Sequence, residues 1–230
     1  MGLALAILDV LFPPRCAACQ GLLEPRERPA ALLPLCFACA ESLTPIDQGC
    51  RLCGLPGERE LCHACQEEPP PFDRARAVYL YGAAIADVLH RFKYEDHPEL
   101  ARPLADRMAA IELSVPEVVA PVPLHAKRRR SRTYDQALLL ARELAAVRGW
   151  RFAPALLERT RATGRQVGRR RDERARNVAG AFRVRGQVQG RAVLLVDDVV
   201  TTGATAAECA RVLKRAGARR VEVASVARAV

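Results

Sequence analysis

The fold of this chain is decided by the stretch Val193-Leu194-Leu195-Val196-Asp197-Asp198-Val199-Val200-Thr201-Thr202-Gly203-Ala204-Thr205. The apolar run from Ala192 to Val196 predicts a parallel strand that is covered on both faces. Apolar side chains then recur at helical spacing from Thr205 to Ala216, so the residues in between form a turn at a helix N-terminus. A buried strand that leads directly into a helix is typical of an α/β fold.

The turn has the composition of a phosphate-binding site. At a helix N-terminus, backbone N–H groups without helical partners and the positive end of the helix dipole face outward. A glycine lets the backbone approach a ligand closely, and threonine hydroxyls add further donors. The candidate phosphate-binding residues are Val200, Thr201, Thr202, Gly203, Ala204 and Thr205.

Two carboxylates precede this turn. Asp197 and Asp198 follow the strand at its carboxyl end, where they can accept hydrogen bonds from vicinal ribose hydroxyls, directly or through Mg²⁺. The simpler interpretation is that the acids end a strand and the threonines cap a helix. A cap needs only one such residue, so we expect a site for a sugar phosphate. A P-loop is excluded because no Lys-Ser/Thr pair follows the glycine.

Composition predicts a globular protein with a strong local charge. The chain has 230 residues, half of them apolar, which suits one moderate domain with a small additional module. Its formal net charge of +10 comes from two arginine-rich runs, residues 127–132 and 158–176. Such runs attract polyanions, among them pyrophosphate, nucleotides or a nucleic-acid backbone. The alternative is a solvated face that only keeps the protein soluble.

The N-terminal sequence has the pattern of neither a membrane span nor a secretion signal. The apolar run from Leu3 to Phe12 is too short to cross a bilayer and contains Asp9, so we interpret it as a short amphipathic helix. No signal peptide is evident. We therefore expect a cytoplasmic protein, in which thiols favour metal ions over disulfides.

The first third of the chain has the cysteine spacing of metal sites. Eight of the nine cysteines form four C-x-x-C pairs: Cys16 and Cys19, Cys36 and Cys39, Cys50 and Cys53, Cys62 and Cys65. Two such pairs can bind one tetrahedral ion, so the four predict up to two structural Zn²⁺ ions. A redox dithiol or disulfides are the alternatives. Spacing leaves open whether adjacent or alternate pairs combine.

Three other residues accompany the cysteine pairs. Gly54 suits the tight turn after Cys53, and His63 is interpreted as a bystander because eight thiolates already complete two tetrahedra. Cys209 lies in the apolar pattern of the predicted helix after residue 205, where a free cysteine behaves as a small hydrophobic residue.

The remaining sequence predicts a doubly wound, mostly parallel sheet. The prolines at 69–71 mark a boundary, which divides the chain into a zinc-binding region, residues 1–70, and an α/β domain, residues 71–230. Predicted strands are Val78–Tyr81, Val118–Pro123, Ala155–Leu157, Phe182–Val184, Ala192–Val196 and Val221–Val226, of which about five form the sheet. Ile85, Val88, Leu89 and Phe92 recur at helical spacing, and residues 134–147 predict a further helix.

The 193–205 stretch closely resembles the 5-phosphoribosyl-1-pyrophosphate (PRPP) motif of type I phosphoribosyltransferases. In that motif the paired acids hold the ribose and the T-T-G-x-T loop holds the 5′-phosphate. Nearly the whole chain resembles the ComF family of competence-related, phosphoribosyltransferase-like proteins, including the GntX group. The segments that carry this resemblance are Leu11-Phe12-Pro13-Pro14-Arg15-Cys16, Pro121-Val122-Pro123-Leu124 and Asn177-Val178-Ala179-Gly180-Ala181-Phe182.

The resemblance implies an Mg²⁺-dependent PRPP site in a phosphoribosyltransferase that is linked to DNA uptake and acts on an unidentified acceptor. Pyrophosphate would lie near Lys127 and Arg128, and the loop 161–176 would be the mobile hood over the acceptor. No catalytic residue is assigned, although His125 is considered as a base. The sequence departs from the family's G-[FY]-N-Q pattern at Thr133 and Asp135, and has Arg169 where the hood often has an apolar residue.

An adaptor without catalytic activity is the alternative function. Such a module of the competence machinery would bind single-stranded DNA through the arginine-rich runs and a helicase-type partner through the cysteine pairs. The run 158–176 contains no aromatic residue for base stacking, so DNA contacts there would be nonspecific and sensitive to salt.

Overall fold

The computed structural model describes residues 13–23, 33–124, 133–161, 176 and 178–230. The strands in these ranges are β1 (Arg74–Leu80), β2 (Val118–Pro121), β3 (Leu157–Arg159), β4 (Phe182–Val184), β5 (Ala192–Val200) and β6 (Arg220–Arg228). The α-helices are α1 (Phe37–Glu41), α2 (His63–Glu67), α3 (Ala83–Tyr94), α4 (Ala101–Ala109), α5 (Gln136–Arg148) and α6 (Ala204–Arg215), and a 3₁₀ turn spans Pro98–Leu100. The predicted N-terminal helix lies outside the described residues.

A four-stranded parallel sheet forms the centre of the molecule. Its strand order is β1-β6-β5-β2, and each neighbouring pair is parallel. The apolar residues of β5 lie beside those of β6, as Val193 beside Val221 and Val196 beside Ala224. Strands this apolar must be covered on both faces. The predicted α/β fold with a parallel sheet is therefore confirmed.

Helices cover both faces of this sheet. Leu194 and Val196 of β5 pack in one apolar cluster with buried residues of α3, α4 and α5. Val193 and Leu195 pack in a second cluster with Cys209 and Leu213 of α6. Alternate residues of one strand thus face different helical layers, as a doubly wound sheet requires.

Two predicted strands do not join this sheet. Ala155–Leu157 and Phe182–Val184 were expected among its strands, but β3 and β4 form a separate antiparallel pair. Each has three residues and only its first is buried. A central parallel strand needs an apolar run that is buried on both faces, which these charged segments cannot supply.

Strand β5 is longer than predicted. It continues past Val196 to Val200 because β6 supplies partners for its final residues, with Asp197 beside Ser225 and Val200 beside Arg228. The two acids therefore lie within the last part of the strand. Helix α6 begins at Ala204, one residue earlier than the apolar spacing predicted.

The cysteine-rich segment covers one edge of the sheet. Ile46 donates its backbone N–H to Val78 O at 2.9 Å, and Leu80 donates to Thr44 O at 2.8 Å. Pairing of this kind removes the unpaired edge of β1. The domain boundary at residues 70/71 stays a prediction. Among the described residues, no helix has the length and apolar character needed to cross a membrane.

Candidate functional site

The turn between β5 and α6 has the backbone of an anion-binding corner. Gly203 precedes the helix with φ 78° and ψ 0°, a left-handed conformation that favours glycine. Thr202 Oγ1 accepts a hydrogen bond from the Ala204 N–H at 3.4 Å. Thr201 is exposed, while Thr205 and the residues between are partly exposed, so a ligand can reach these candidate phosphate-binding residues.

The two acids at the end of β5 differ in their surroundings. Asp198 donates its backbone N–H to Asp197 Oδ1 at 2.9 Å, and its own Oδ2 lies 3.0 Å from Lys93 Nζ of α3. Burial and the charge of Asp198 raise the pKa of Asp197 well above its ordinary value, against the lowering effect of the Asp198 N–H and Lys93. Burial and the Asp197 charge in turn raise the pKa of Cys209 on α6. Asp198 thus faces α3, and Asp197 lies close to α6.

Lys93 is brought to the acids by a contact between α3 and α5. The backbone oxygen of Phe92 accepts hydrogen bonds from Tyr134 Oη at 2.6 Å and from Gln136 Nε2 at 3.3 Å. The rings of Phe92 and Tyr134 lie 5.6 Å apart. Asp135 caps α5 by accepting the Leu138 N–H at 3.0 Å, and its charge also raises the pKa of Asp197. Sequence reasoning gave Lys93 no role, although a cation on the flank of the helix after the first strand was a usable signal.

Arg228 lies at the same end of the sheet. It is the last residue of β6, beside Val200 of β5 and Leu80 of β1, and only 7% of its surface is exposed. A methyl group added to Gly203 would lie 4.0 Å from Arg228 Nη1, so the guanidinium is next to the candidate phosphate-binding turn. Sequence reasoning missed Arg228. The available signal was an arginine at the end of an otherwise apolar strand.

The predicted pyrophosphate and hood residues fall largely outside the described ranges. His125, Lys127, Arg128 and Arg169 are among them. The two flanks of the 161–176 loop are described and lie together. Thr160 donates its N–H to Ala181 O at 2.9 Å, and Gly180 donates its N–H to Glu208 Oε1 of α6 at 2.8 Å.

The structure brings the eight N-terminal cysteines together in adjacent pairs. One cluster holds Cys16, Cys19, Cys36 and Cys39, the other Cys50, Cys53, Cys62 and Cys65, and within each cluster all sulfur atoms lie within 4.8 Å of one another. The sulfurs of Cys19 and Cys36 are 3.7 Å apart, and those of Cys53 and Cys62 are 3.6 Å apart. A tetrahedron with metal–sulfur bonds of about 2.3 Å has sulfur–sulfur edges of about 3.8 Å. Both clusters therefore have dimensions that fit a tetrahedral metal ion.

Electrostatics also favour a cation in each cluster. Burial opposes ionisation of Cys16 and Cys50, but backbone hydrogen bonds outweigh it and lower the pKa of Cys16 to about 7 and that of Cys50 to about 6. Burial and the neighbouring thiols raise the pKa of Cys39 and Cys65. Four thiols so close together cannot all ionise without a positive charge among them, and a bound metal ion would supply it.

The neighbours of the clusters keep their predicted places. Gly54 has φ 66°, and a Cβ there would lie 2.6 Å from Ala75 O, so only glycine fits the turn after Cys53. His63 is exposed, lies outside the sulfur cluster and pairs with Glu67 at 3.3 Å. Cys209 is fully buried under the sheet and belongs to neither sulfur cluster.

Comparisons with known proteins identify a matching domain family and relatives that cover most of this chain. A family model described as phosphoribosyl transferase domain matches residues 135–229, which include the acids, the turn and Arg228. The DNA utilization protein YhgH of Escherichia coli (strain K12) is 34% identical over 200 residues, 82% of this chain and 88% of that protein. Competence protein F of Haemophilus influenzae is 30% identical over 231 residues, 94% of this chain and 97% of that protein. Competence protein ComFC of Bacillus subtilis is 27% identical over 209 residues, 85% of this chain and 82% of that protein.

Two solved structures align with part of this chain. The glutamine PRPP amidotransferase of Bacillus subtilis aligns with 59% of this chain and 30% of its own, with 23% identity and a TM-score of 0.42. The adenine phosphoribosyltransferase of Leishmania tarentolae aligns with 64% of this chain and 61% of its own, with 16% identity and a TM-score of 0.33. The alignment thus spans less than a third of the amidotransferase chain.

Proposed function

Because this chain belongs to the ComF/YhgH family and carries a phosphoribosyl transferase domain, we propose that it binds PRPP with Mg²⁺ and transfers the phosphoribosyl group to an acceptor. The observation that carries the proposal is the position of the acids directly beside the phosphate-binding turn. Asp197 and Asp198 lie in the last part of β5, and the Gly203 turn follows at the start of α6. A sugar phosphate could therefore contact both at once.

The 5′-phosphate of PRPP would occupy the turn. Backbone N–H groups at the start of α6 and the hydroxyls of Thr201, Thr202 and Thr205 would donate hydrogen bonds to its oxygens. Arg228, beside Gly203, would add the positive charge that a phosphate dianion needs in a partly buried site. This guanidinium distinguishes the turn from an ordinary helix cap.

The ribose and its metal ion would lie on the acids. Mg²⁺ prefers oxygen ligands, and the Asp197 and Asp198 carboxylates at one strand end fit it by donor type. When bound, the ion would neutralise charge on the diphosphate of PRPP. The carboxylate oxygens that remain would accept hydrogen bonds from the ribose hydroxyls and fix the orientation of C1′.

In the transfer, the bond from C1′ to the pyrophosphate oxygen breaks and a bond from C1′ to the acceptor nucleophile forms. Pyrophosphate leaves with the electron pair, so positive charge near it lowers the barrier. Lys127 and Arg128 remain our predicted contacts for this group. We assign no catalytic base, and the hood 161–176 would exclude water.

The cysteine clusters would hold two structural Zn²⁺ ions. Their tetrahedral spacing and thiolate character suit zinc, and their place along β1 suits a structural role. The names of the relatives, competence protein and DNA utilization protein, support a role for this protein in DNA uptake or use. Single-stranded DNA and a helicase-type partner are therefore proposed partners, and a cytoplasmic location is proposed with them.

A second candidate is an adaptor that binds PRPP or DNA without catalysis. The net charge of +10, concentrated in two arginine-rich runs, favours it. Release of pyrophosphate from PRPP decides between the two functions when nucleobases, amines and a single-stranded oligonucleotide are offered in turn. Release that depends on one acceptor and is lost in Asp198→Ala supports the transferase, whereas binding of PRPP without release for every acceptor supports the adaptor.

A further inference from the structure

One of the two acids already has a cation in the ligand-free structure. Lys93 Nζ lies 3.0 Å from Asp198 Oδ2, with the two side chains 17% and 14% exposed. An ion pair so poorly hydrated is stronger than a surface pair and is costly to break. A divalent cation that approaches Asp198 must therefore compete with an ammonium group in direct contact with it.

The backbone around Lys93 is held firmly. The Phe92 carbonyl accepts two hydrogen bonds from the beginning of α5, and the Phe92 side chain is fully buried. The ammonium therefore stays within reach of the acids, although the side chain can rotate. Only its final atoms need to move for Asp198 to change its partner.

The charges around Lys93 make it the counter-ion of an acidic group. Lys93 contacts Asp198, and the charges of Asp198, Lys93 and Asp135 all act on Asp197. Among the described residues, Lys93 has a positive charge that acts on Asp197 and an ammonium group that contacts Asp198. Without Lys93 these carboxylates would attract a bare divalent ion much more strongly.

We infer that Lys93 is a positioning residue that neutralises Asp198 until a divalent cation arrives together with the diphosphate of the ligand. This inference rests on the proposed PRPP site. The cation alone would displace Lys93 from Asp198, and the energy of this ion pair would be lost. A cation that comes with a diphosphate provides a new anion for Lys93, so metal and ligand bind cooperatively. The site thereby favours the metal-loaded ligand over the free metal.

The experiment measures Mn²⁺ binding alone, by electron paramagnetic resonance, in the full-length zinc-loaded protein and in Lys93→Met, Lys93→Gln and Lys93→Arg. We expect both neutral variants to bind Mn²⁺ about tenfold more tightly or more, since a unit charge a few ångströms from a divalent ion has at least that effect. Lys93→Arg keeps the charge and should stay near the wild type. Adding Asp198→Asn to Lys93→Met should remove the gain.

Unchanged or weaker Mn²⁺ binding in the neutral variants would overturn the inference. Circular dichroism checks the fold, and Lys93→Gln keeps the test available if Lys93→Met does not fold. A second series adds PRPP, and the increase in Mn²⁺ affinity that PRPP causes should be smaller in the neutral variants than in the wild type. If the wild type binds no PRPP, the proposed function fails, while the comparison with Mn²⁺ alone still decides the role of Lys93.

Discussion

Glu208 accepts a hydrogen bond from the Gly180 N–H at 2.8 Å, which joins the residues just before β4 to α6, the helix that follows the candidate phosphate-binding turn. The carboxylate also pairs with Arg211 and is only 5% exposed. Gly180 lies four residues after the end of the 161–176 loop, so this contact holds one flank of the predicted hood against α6.

Removal of this acceptor should destabilise the protein. Glu208→Ala leaves a partly buried N–H without its partner, and we expect the free energy of unfolding in urea to fall by about 1–3 kcal/mol. Glu208→Gln keeps an acceptor oxygen and should lose less. As a control, Glu99→Ala at an exposed position should change stability by about 0.5 kcal/mol or less. Equal stability of Glu208→Ala and the wild type would show that the contact does not hold the loop.

Arg228 should contribute to affinity for the phosphate. Arg228→Gln removes the positive charge beside Gly203, so we expect binding of both ribose 5-phosphate and PRPP to weaken about tenfold or more. The loss should be similar for the two ligands because both carry the 5′-phosphate. Arg220→Gln, at the other end of β6, is the matched control and should bind both like the wild type. Isothermal titration calorimetry measures the affinities, and a loss for PRPP alone would place Arg228 at the pyrophosphate instead.

Comparison of Gly203→Ala with Gly190→Ala separates the effect of backbone strain on stability from the effect on ligand binding. Its φ of 78° disfavours a side chain, so the substitution should cost about 1–2 kcal/mol of stability. Gly190 has φ 70° in an exposed turn before β5, and Gly190→Ala should cost a similar amount. Only Gly203→Ala should also weaken PRPP binding. An equal effect of both substitutions on PRPP affinity would mean that the Gly203 turn does not contact the ligand.

The cysteine clusters should bind metal independently. We expect two zinc ions per chain by atomic absorption, one ion in Cys16→Ser and one in Cys50→Ser, because each cluster needs all four sulfurs for a closed site. Cys209→Ser is the control and should keep both ions, since Cys209 belongs to neither cluster. Chelation should lower the melting temperature. Loss of both ions in each single variant would indicate one shared centre rather than two.

The sequence alone predicted the site residues that are contiguous in the chain. The acids and the turn are contiguous, so a strand that leads into a helix places them side by side in any α/β fold. Lys93 and Arg228 are remote in sequence from the turn. Their positions depend on the strand order β1-β6-β5-β2 and on the contact between Phe92 and α5, which no local pattern reveals.

The cysteine pairing and the sheet also required tertiary information. Four identical C-x-x-C spacings are equally compatible with metal sites built from adjacent pairs and with sites built from alternate pairs. Thr44 and Ile46, which lie in sequence between the second and third cysteine pairs, form backbone hydrogen bonds with β1. These bonds separate the first two pairs from the last two. The short segments β3 and β4 each begin with one apolar residue that is buried, which led to their prediction as strands, but the charged residues that follow keep them out of the central sheet.

Calorimetric titration of PRPP into the zinc-loaded protein, with and without Mg²⁺, tests the central claim most directly. The proposed site predicts saturable binding that requires Mg²⁺, is lost in Asp198→Ala and Thr202→Ala, and is kept in Asp47→Asn, an exposed acid in the cysteine-rich segment. Absence of any binding heat in the wild type at millimolar PRPP, together with unchanged thermal stability, would contradict the account.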